Sequence, residues 1–477
     1  MPSPVTTERF SLGLTPSRGA LALLLIGLGG CASGEVEPPP QGEPLDLLQP
    51  PSGSLTGYEP LLIDVSGVDA SASEVESVRV GGVLAIDLEP QDDGRLQVLL
   101  QGAPEPGNAR VVLTVGGEER TLPQRYTYAA PLDPRFERVV AFGASLTQGV
   151  QDATPTHDGV MYSPALQTAR ALGAYMPQPV LVDPLFPTLD LASVGPAPDC
   201  EPTPATSFIR DSITDVLGKL VVEDEGFAYW VGRSDPDLVV RNLAAGGFRV
   251  DDMLFGPEVS EVVQNFLGPL SFDPYTEFAA GPRWSMIDEV ERLEPTLVMS
   301  FDFMGNDVLS GTDYSVMEAN VPPLVERLAA TGAEVFLADM PDPGVLHGSV
   351  NEDPLGDAER TLALQCNALL EGEAAKYDNV HVVSVFDRTE ELATLGLSLA
   401  GQELTTDMLG GLLSFDGLHF SPTGYAVTAD LFVEEIGRVL GVELPAVDVE
   451  AVLEQDIHGP AAVRAAGREP EECRGGG

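Results

Sequence analysis

Basic residues are scarce in this chain, and their scarcity excludes one class of partner. Lys and Arg together number 25 against 74 Asp and Glu, which gives a formal net charge of -49 at pH 7. Lysine occurs only at Lys219 and Lys376. A chain this acidic repels phosphate backbones, so we expect that nucleic acids are not among its partners.

Long apolar runs are scarce as well. The run at residues 20–28 is too short to cross a bilayer as a helix, and no other stretch of the sequence is long enough. Arg9 and Arg18 precede this run and small residues follow it, which is the pattern of an export signal. We therefore interpret residues 1–31 as a processing segment.

The end of that segment carries a motif. Leu28-Gly29-Gly30-Cys31 resembles a bacterial lipobox. The resemblance implies cleavage before Cys31, a lipid on the Cys31 sulfur, and a bacterial cell-envelope lipoprotein that reaches its membrane through this anchor. The alternative is an ordinary signal peptide cut nearby, with Cys31 present by chance. Residues 32–50 are rich in Pro and Glu and are predicted to form an extended tether.

Cysteine is also rare. The chain has 4 cysteines, and Cys200, Cys366 and Cys473 remain beyond Cys31. An exported compartment permits a disulfide, but three cysteines allow at most one intramolecular pair, and the sequence does not decide whether it forms. Cys366 lies in a helical pattern and is expected to be a small buried apolar residue. The spacing matches no zinc site, and we predict neither a metal nor a cofactor.

Residues 51–130 carry strand signals and almost no helix signal. Gly, Pro and Asp clusters separate four short β-rich runs: 61–65, 78–80, 96–99 and 111–115. This pattern predicts a small β-sandwich. The motifs that resemble an IPT/TIG immunoglobulin-like domain are Pro51-x-Gly53, Ile63-x-Val65-x-Gly67, Val78-x-Val80-Gly81-Gly82, Pro106-Gly107 and Tyr126-Thr127-Tyr128. The resemblance implies a spacer between the anchor and the rest of the chain.

Apolar strands alternate with helices over residues 135–445, which is the signature of an α/β layer fold. The predicted strands are 138–142, 238–242, 297–303, 334–339 and 380–385, and the predicted helices include 286–293, 322–330 and 358–376. A last helix is bounded by Ser421 as N-cap, Pro422 in its first turn and Gly441 beyond its end. Residues 446–477 are acidic and predicted to be a poorly ordered tail.

Polar and glycine residues follow several of these strands. The first strand runs into Gly143-Ala144-Ser145, and catalytic groups of open α/β sheets sit at such carboxyl ends. Gly247 follows a second strand and offers an unobstructed N–H group, while Asn306 follows a third and offers a neutral amide donor. Asp416 lies three residues before His419, which it can orient to take a proton from a serine.

In this order, Ser145, Gly247, Asn306 and Asp416-x-x-His419 resemble the SGNH hydrolases, also called GDSL esterases and lipases, over about residues 138–441. The resemblance implies a three-layer αβα sandwich with a parallel sheet, preceded here by the small immunoglobulin-like β-sandwich. It also implies that Ser145 is the nucleophile, His419 the base and Asp416 its orienting partner. The N–H groups of Ser145 and Gly247 and the Asn306 amide would form the oxyanion hole.

The chain departs from the family pattern near two of these residues. Ala144 stands where the family has Asp, and Met304 where it has Gly. We expect altered packing at Ala144 rather than lost activity. Asp302 and Asp307 are expected to hold the Asn306 loop. Residues 150–237 are a long insertion that either lines the acyl pocket or forms a surface loop.

The sequence therefore predicts a cell-envelope serine esterase or lipase that acts on a lipid or acylated saccharide ester without a cofactor. The acyl group would be bound covalently to Ser145 in an acyl-enzyme intermediate. A polysaccharide O-acetyl esterase is one alternative, and a surface adhesion lipoprotein with an inactive hydrolase domain is the other. His347 either lines the cleft or lies in a surface loop.

Overall fold

The computed structural model describes residues 46–180, 188–195, 200, 238–256, 285–347 and 356–473. The signal segment with Cys31, most of the tether and most of the 150–237 insertion lie outside the described residues. No helix within the described ranges is both long enough and apolar enough to span a bilayer.

The N-terminal described region is built from β-strands. They are β1 (Leu48–Gln49), β2 (Ser52–Gly53), β3 (Pro60–Ile63), β4 (Val75–Val80), β5 (Val83–Leu84), β6 (Ile86–Pro90), β7 (Leu96–Leu99), β8 (Gly107–Val115) and β9 (Glu118–Tyr128). One sheet has the strand order β1-β3-β7-β6 and the other the order β2-β9-β8-β4-β5. The short β2 pairs with β9 in parallel, whereas β3 with β7 and β8 with β9 are antiparallel pairs.

Both sheets contribute side chains to one apolar cluster. In β8, Val111, Leu113 and Val115 are buried while the residues between them are partly exposed. This is the two-residue period of a strand with one covered face. Leu61 and Ile63 of β3 lie in the same cluster. The region therefore has its own core, and its likeness to IPT/TIG domains stays a prediction.

The folded part begins earlier than the composition indicates. Leu47 and Leu48 belong to the predicted tether over residues 32–50, yet Leu48 is fully buried and pairs with Ile63. The boundary at residue 51 is therefore too late. Burying two leucines outweighs the local Pro and Glu content, because each buried leucine contributes about 1.5–3 kcal/mol.

The second region centres on a parallel sheet. Its strands β10 (Val139–Ala141), β11 (Leu297–Ser300), β12 (Glu334–Ala338) and β13 (Val380–Val383) lie in this order and pair in parallel. The predicted strand at 238–242 contributes only an isolated bridge from Asn242 to Ala141. Val239 of that stretch is exposed, as expected at a sheet edge. A separate hairpin is formed by β14 (Leu397–Leu399) and β15 (Gln402–Leu404).

Helices cover both faces of the parallel sheet. They are α1 (Ser145–Gln148), α2 (His157–Met161), α3 (Pro164–Leu172), α4 (Val250–Phe255), α5 (Met286–Arg292), α6 (Gly305–Leu309), α7 (Tyr314–Ala330), α8 (Asp357–Ala374), α9 (Val385–Leu395), α10 (Pro422–Leu440), α11 (Val449–Leu453) and α12 (Pro460–Ala465). Short 3₁₀ helices span Val65–Val68, Ala72–Glu74, Pro134–Phe136, Leu191–Ser193, Pro343–Val345 and Pro470–Cys473. Val140 packs with residues of α5, α7 and α8, whereas its neighbour Ala141 packs with residues of α3 and α10. The sheet is therefore the middle of three layers.

The boundaries of α10 agree with the sequence. Ser421 Oγ accepts the Gly424 N–H at 3.0 Å, Pro422 is the first helical residue, and Gly441 ends the helix in a left-handed conformation with φ 66°. A cap of this kind, with Pro in the first turn and Gly beyond the last, fixes both ends of a helix. The start of α10 therefore has a fixed position directly after His419.

The prediction of a poorly ordered tail is wrong for residues 446–473. This segment forms α11 and α12, and Leu453, His458 and Val463 are buried. A disulfide joins Cys473 to Cys200, while Cys366 is free and buried in α8 as expected. The acidic composition alone does not reveal the well-spaced apolar side chains Leu453 and Val463, which pack against the rest of the domain.

Replacing Cys473 with Ser is expected to lower the free energy of unfolding by about 2–4 kcal/mol, because the disulfide closes a long loop. The two cysteines lie 273 residues apart in the sequence. Thermal unfolding of the full chain, with and without a thiol reductant, measures the effect. The reductant should bring the wild-type melting temperature down to that of the variant and leave the variant unchanged. Equal melting temperatures for the two oxidised proteins would contradict the disulfide.

Candidate active site

Ser145 lies on the turn between β10 and α1. Its side chain is half-buried, and it is the first residue of the helix. Gly143 precedes it with φ 143°, and a Cβ atom there would lie 2.5 Å from Thr147 Oγ1 and 2.8 Å from Asp302 Oδ1. Only glycine fits this close approach, so the sequence Gly143-Ala144-Ser145 makes a sharp turn possible at the strand end.

The Asp302 carboxylate holds this turn. Asp302 follows β11, and its Oδ1 accepts the Ala144 N–H at 2.9 Å and the Thr147 hydroxyl at 2.6 Å. Its Oδ2 accepts the Leu146 N–H at 2.6 Å, and Oδ1 also lies 3.2 Å from the Thr147 nitrogen. The N–H groups before and after Ser145 are thereby fixed. Asp302 also keeps its expected place in the Asn306 loop, since its backbone carbonyl oxygen accepts the Gly305 N–H at 3.0 Å.

Burial and hydrogen bonding act in opposite directions on Asp302. Burial raises the pKa of this carboxyl, and the donors from Thr147, Ala144 and Leu146 oppose the shift because they bind the ionised form. Ala144, at the position where the family has Asp, is fully buried in the apolar cluster of one sheet face. The carboxylate that binds this turn therefore comes from Asp302, beyond the neighbouring strand β11, and not from residue 144.

The other two oxyanion candidates are joined to each other. Asn306, in α6, donates from Nδ2 to the Phe248 carbonyl oxygen at 2.9 Å. Gly247 precedes Phe248 with φ 84°, and Asp307 Oδ2 accepts the Val250 N–H at 2.9 Å. Asp307 therefore ties the Asn306 turn to the Gly247 loop, in keeping with the role expected of it. Its burial raises its pKa to about 7.

Asp416 and His419 form a tight pair. Asp416 Oδ2 lies 2.7 Å from His419 Nδ1, and its Oδ1 accepts the backbone N–H groups of Leu418 and His419 and the Ser414 hydroxyl. An ionised carboxylate only accepts hydrogen bonds, so Nδ1 carries the proton in the neutral imidazole. The lone pair of His419 is then on Nε2, the nitrogen that a general base must present.

The pair shifts the acidity of both partners. Burial alone would raise the pKa of Asp416, but the charge of His419 and the hydrogen bonds hold it well below the ordinary value of 3.8. For His419, burial alone would lower the pKa. The charge and hydrogen bond of Asp416, with the charges of Asp302 and Asp152, outweigh burial and place it above 6.5. Asp416 therefore stays ionised and stabilises the imidazolium.

Ser145, Asn306 and His419 line one cavity. Asp302 and Gly305 also line it, and the rest of its wall is mostly apolar: Leu146, Leu309, Met340, Pro341, Leu346, Leu418 and Phe420. Across the described ranges, Ser145 Oγ makes no hydrogen bond, so the serine and His419 share the cavity without being bonded to each other. Gly247 is placed beside Asn306 through the Phe248 carbonyl, and Cys31 lies outside the described residues.

The remaining histidines lie elsewhere or support the loops. His157 lies between Asp87 and Asp158, and His381 of β13 pairs with Glu334. His347 follows a residue of the cavity wall, but its Nε2 lies 3.0 Å from the Thr406 carbonyl oxygen. In the part of the chain that the structure describes, no group of His, Cys, Asp and Glu side chains is arranged to hold a metal ion.

A parallel sheet with helices on both faces, and a serine, a histidine and an aspartate gathered at its carboxyl end, define an α/β hydrolase-like protein. The family model of the GDSL-like lipase/acylhydrolases matches residues 139–432. This span is more than half of the chain and contains every candidate residue of the cavity. The chain belongs to this family of ester-hydrolysing serine hydrolases. No curated protein matches it.

Replacing Asp302 with Asn is expected to lower kcat by about tenfold to a hundredfold, because misplacement of a catalytic group is costly. One oxygen of the carboxylate becomes an NH₂ group, which would face backbone donors of the Ser145 turn. Steady-state kinetics on a soluble ester measures the change. Asp339→Asn is the matched control, since Asp339 is also buried beyond a neighbouring strand but binds the Phe386 N–H. Equal losses of kcat in both variants would contradict the role of Asp302.

Proposed function

We propose that this protein is a cell-envelope serine esterase that hydrolyses carboxylic esters through an acyl-enzyme on Ser145. The observation that carries the proposal is the convergence on one cavity of Ser145, Asn306 and a His419 oriented by Asp416. Membership of the GDSL-like lipase/acylhydrolase family supports the same reaction type.

The proposed reaction begins with attack of Ser145 Oγ on the ester carbonyl carbon. His419 Nε2 takes the serine proton as the new C–O bond forms, and Asp416 stabilises the resulting imidazolium. The tetrahedral intermediate then breaks the bond to the alcohol, which leaves with the proton returned by His419. Water enters, His419 takes its proton, and the acyl-enzyme is hydrolysed to the acid and free Ser145.

Two backbone donors are available for the developing oxyanion. Asp302 takes N–H groups on both sides of Ser145, yet among the described residues the N–H groups of Ser145 and Gly247 have no acceptor. Asn306 Nδ2 has a second hydrogen beyond the one given to Phe248. Preorganised donors of this kind are each worth about 10²–10³ in kcat.

The cavity wall favours esters with an apolar acyl group. Leu309, Met340 and Leu346 line the same cavity as Ser145. Hydrocarbon chains gain about 0.8 kcal/mol for each methylene buried against such a wall. The proposed substrates are therefore acylated lipids or saccharides. Attachment through a lipid on Cys31, with the N-terminal β-region as a spacer, rests on the sequence motifs alone.

Ser145→Ala in the full chain is expected to abolish hydrolysis of nitrophenyl esters, because no nucleophile remains to form the acyl-enzyme. The measurement covers acyl chains from acetate to palmitate. Ser315→Ala, which removes an exposed hydroxyl bonded to Asp313, is the control and should keep full activity. Activity confined to acetate would favour an O-acetyl esterase. Undiminished hydrolysis by Ser145→Ala would refute the proposed mechanism.

The pH dependence of kcat/KM tests the base. His419 must be neutral to accept a proton, so kcat/KM should rise with pH through a pKa above 6.5, the ordinary value for His. Below that pKa the rate should fall about tenfold per pH unit. Asp416→Asn removes the charge that raises the pKa of His419 and should move this limb to lower pH while reducing kcat. A limb that stays in place would exclude the Asp416–His419 pair from the reaction.

A further inference from the structure

The segment beyond the family match carries a buried cation. His458 is 2% exposed, with Nδ1 2.8 Å from Asp456 Oδ1 and Nε2 3.0 Å from Asp152 Oδ1. Both ring nitrogens face carboxylates, so both donate and the ring is an imidazolium. Burial alone would lower the pKa of His458, but the two carboxylates raise it to about 10. The histidine is therefore charged over the physiological pH range.

One carboxylate partner of His458, Asp152, supports the turn that carries Asp416 and His419. Asp152 Oδ1 also accepts the Phe415 N–H at 2.8 Å, and the next residue, Ala153, donates its N–H to Asp416 Oδ2 at 2.7 Å. This is the same oxygen that binds His419 Nδ1. Asp152 and Ala153 have φ values of 54° and 66°, a strained pair for non-glycine residues. Such a turn persists only when its surroundings determine it strongly.

The second carboxylate partner of His458, Asp456, binds the backbone that follows His419. Asp456 Oδ2 accepts the N–H group and the hydroxyl of Thr423 at 2.9 and 2.6 Å, in the first turn of α10. The His458 ring also packs on Phe415, with ring centroids 4.3 Å apart. Residue 415 precedes Asp416, and residue 423 follows His419 by four positions. His458 thus bridges both ends of the segment that presents the base.

We propose that His458 is a positioning residue for the Asp416–His419 pair, and that the C-terminal segment which carries it is part of the active enzyme. This inference rests on the proposed function of His419 as base. His458 fixes the Asp152 turn that donates to Asp416, and it balances the negative charge of Asp152 near His419. The Cys200–Cys473 disulfide and the bonds from Arg468 to the Val194 and Gly195 carbonyl oxygens keep the segment in place.

The charges around His419 give the inference a distinct signature. The charged groups that face it are Asp416 on its own turn, Asp302 after β11 and Asp152, with the hydroxyl of Tyr425 from α10 as the other titratable group of this cluster. Removing the His458 cation leaves the negative charge of Asp152 uncompensated. This favours the His419 imidazolium and so raises the pKa of His419. Removing the Asp152 charge has the opposite effect. Substitution of a residue that served only stability would leave the pKa of His419 unchanged.

The test compares His458→Gln with wild type in the full chain. We expect kcat to fall about tenfold to a hundredfold with KM nearly unchanged, since the base is displaced while the cavity remains. The acidic limb of kcat/KM should move to higher pH. Histidine-selective isotope labelling and NMR titration give the pKa of His419 directly, without turnover. His381→Gln, which removes another His–carboxylate pair, is the control and should change none of these quantities.

A folded His458→Gln with wild-type kcat and an unchanged His419 pKa would overturn the inference. If this variant does not fold, Asp152→Asn takes its place, because the amide oxygen can still accept the Phe415 N–H. It should lower both kcat and the pKa of His419, and wild-type values for both would also overturn the inference. The NMR shifts remain measurable in a chain without esterase activity, so failure of the proposed function is distinguished from failure of this one.

Discussion

The carboxylate of Asp302 is the interaction on which the candidate active site depends. It stands beyond β11 but binds the N–H groups around Ser145 beyond β10, so it fixes two neighbouring strand ends to each other. A buried carboxylate must find donors, and the Ser145 turn supplies them. Asp302 takes N–H groups on both sides of Ser145, while the Ser145 N–H has no acceptor among the described residues, as the proposed oxyanion hole requires. The hydrogen bonds that offset the burial of Asp302 are thus the same bonds that fix the backbone around Ser145.

The same rule organises the loops around the cavity. Asp307 binds the start of α4, Asp416 binds its own turn and Ala153, and Asp456 binds the start of α10. Burying a carboxylate costs several kcal/mol unless hydrogen bonds or a cation offset it. In a chain with a net charge of -49, backbone N–H groups are a more plentiful offset than basic side chains. The loops are consequently fastened by acid-to-backbone bonds, whose geometry is stricter than that of surface ion pairs.

The sequence predicts the parts of this arrangement that depend on local pattern. The parallel strands and the caps of α10 follow from apolar period and turn chemistry, and the grouping of Ser145, Asn306 and His419 follows from the resemblance to the SGNH hydrolases. The partner of the Ser145 turn did not follow, because Asp302 is 157 residues away and the contact exists only in three dimensions. The sequence does not predict the ordered segment after α10. Its acidic composition indicates a solvated tail, and the composition does not show that a few of its side chains are buried.

The family span ends at residue 432, inside α10, but the physical unit extends further. A domain cut after α10 would remove His458, the cation that pairs with Asp152 next to the Asp416 turn. The turn at Asp152 and Ala153 is strained and persists only when its surroundings determine it, so loss of this partner favours its opening. Opening the turn withdraws the Ala153 N–H from the oxygen that orients His419. In the proposed mechanism the C-terminal segment is therefore coupled to His419 through electrostatics, although none of its described residues lines the cavity.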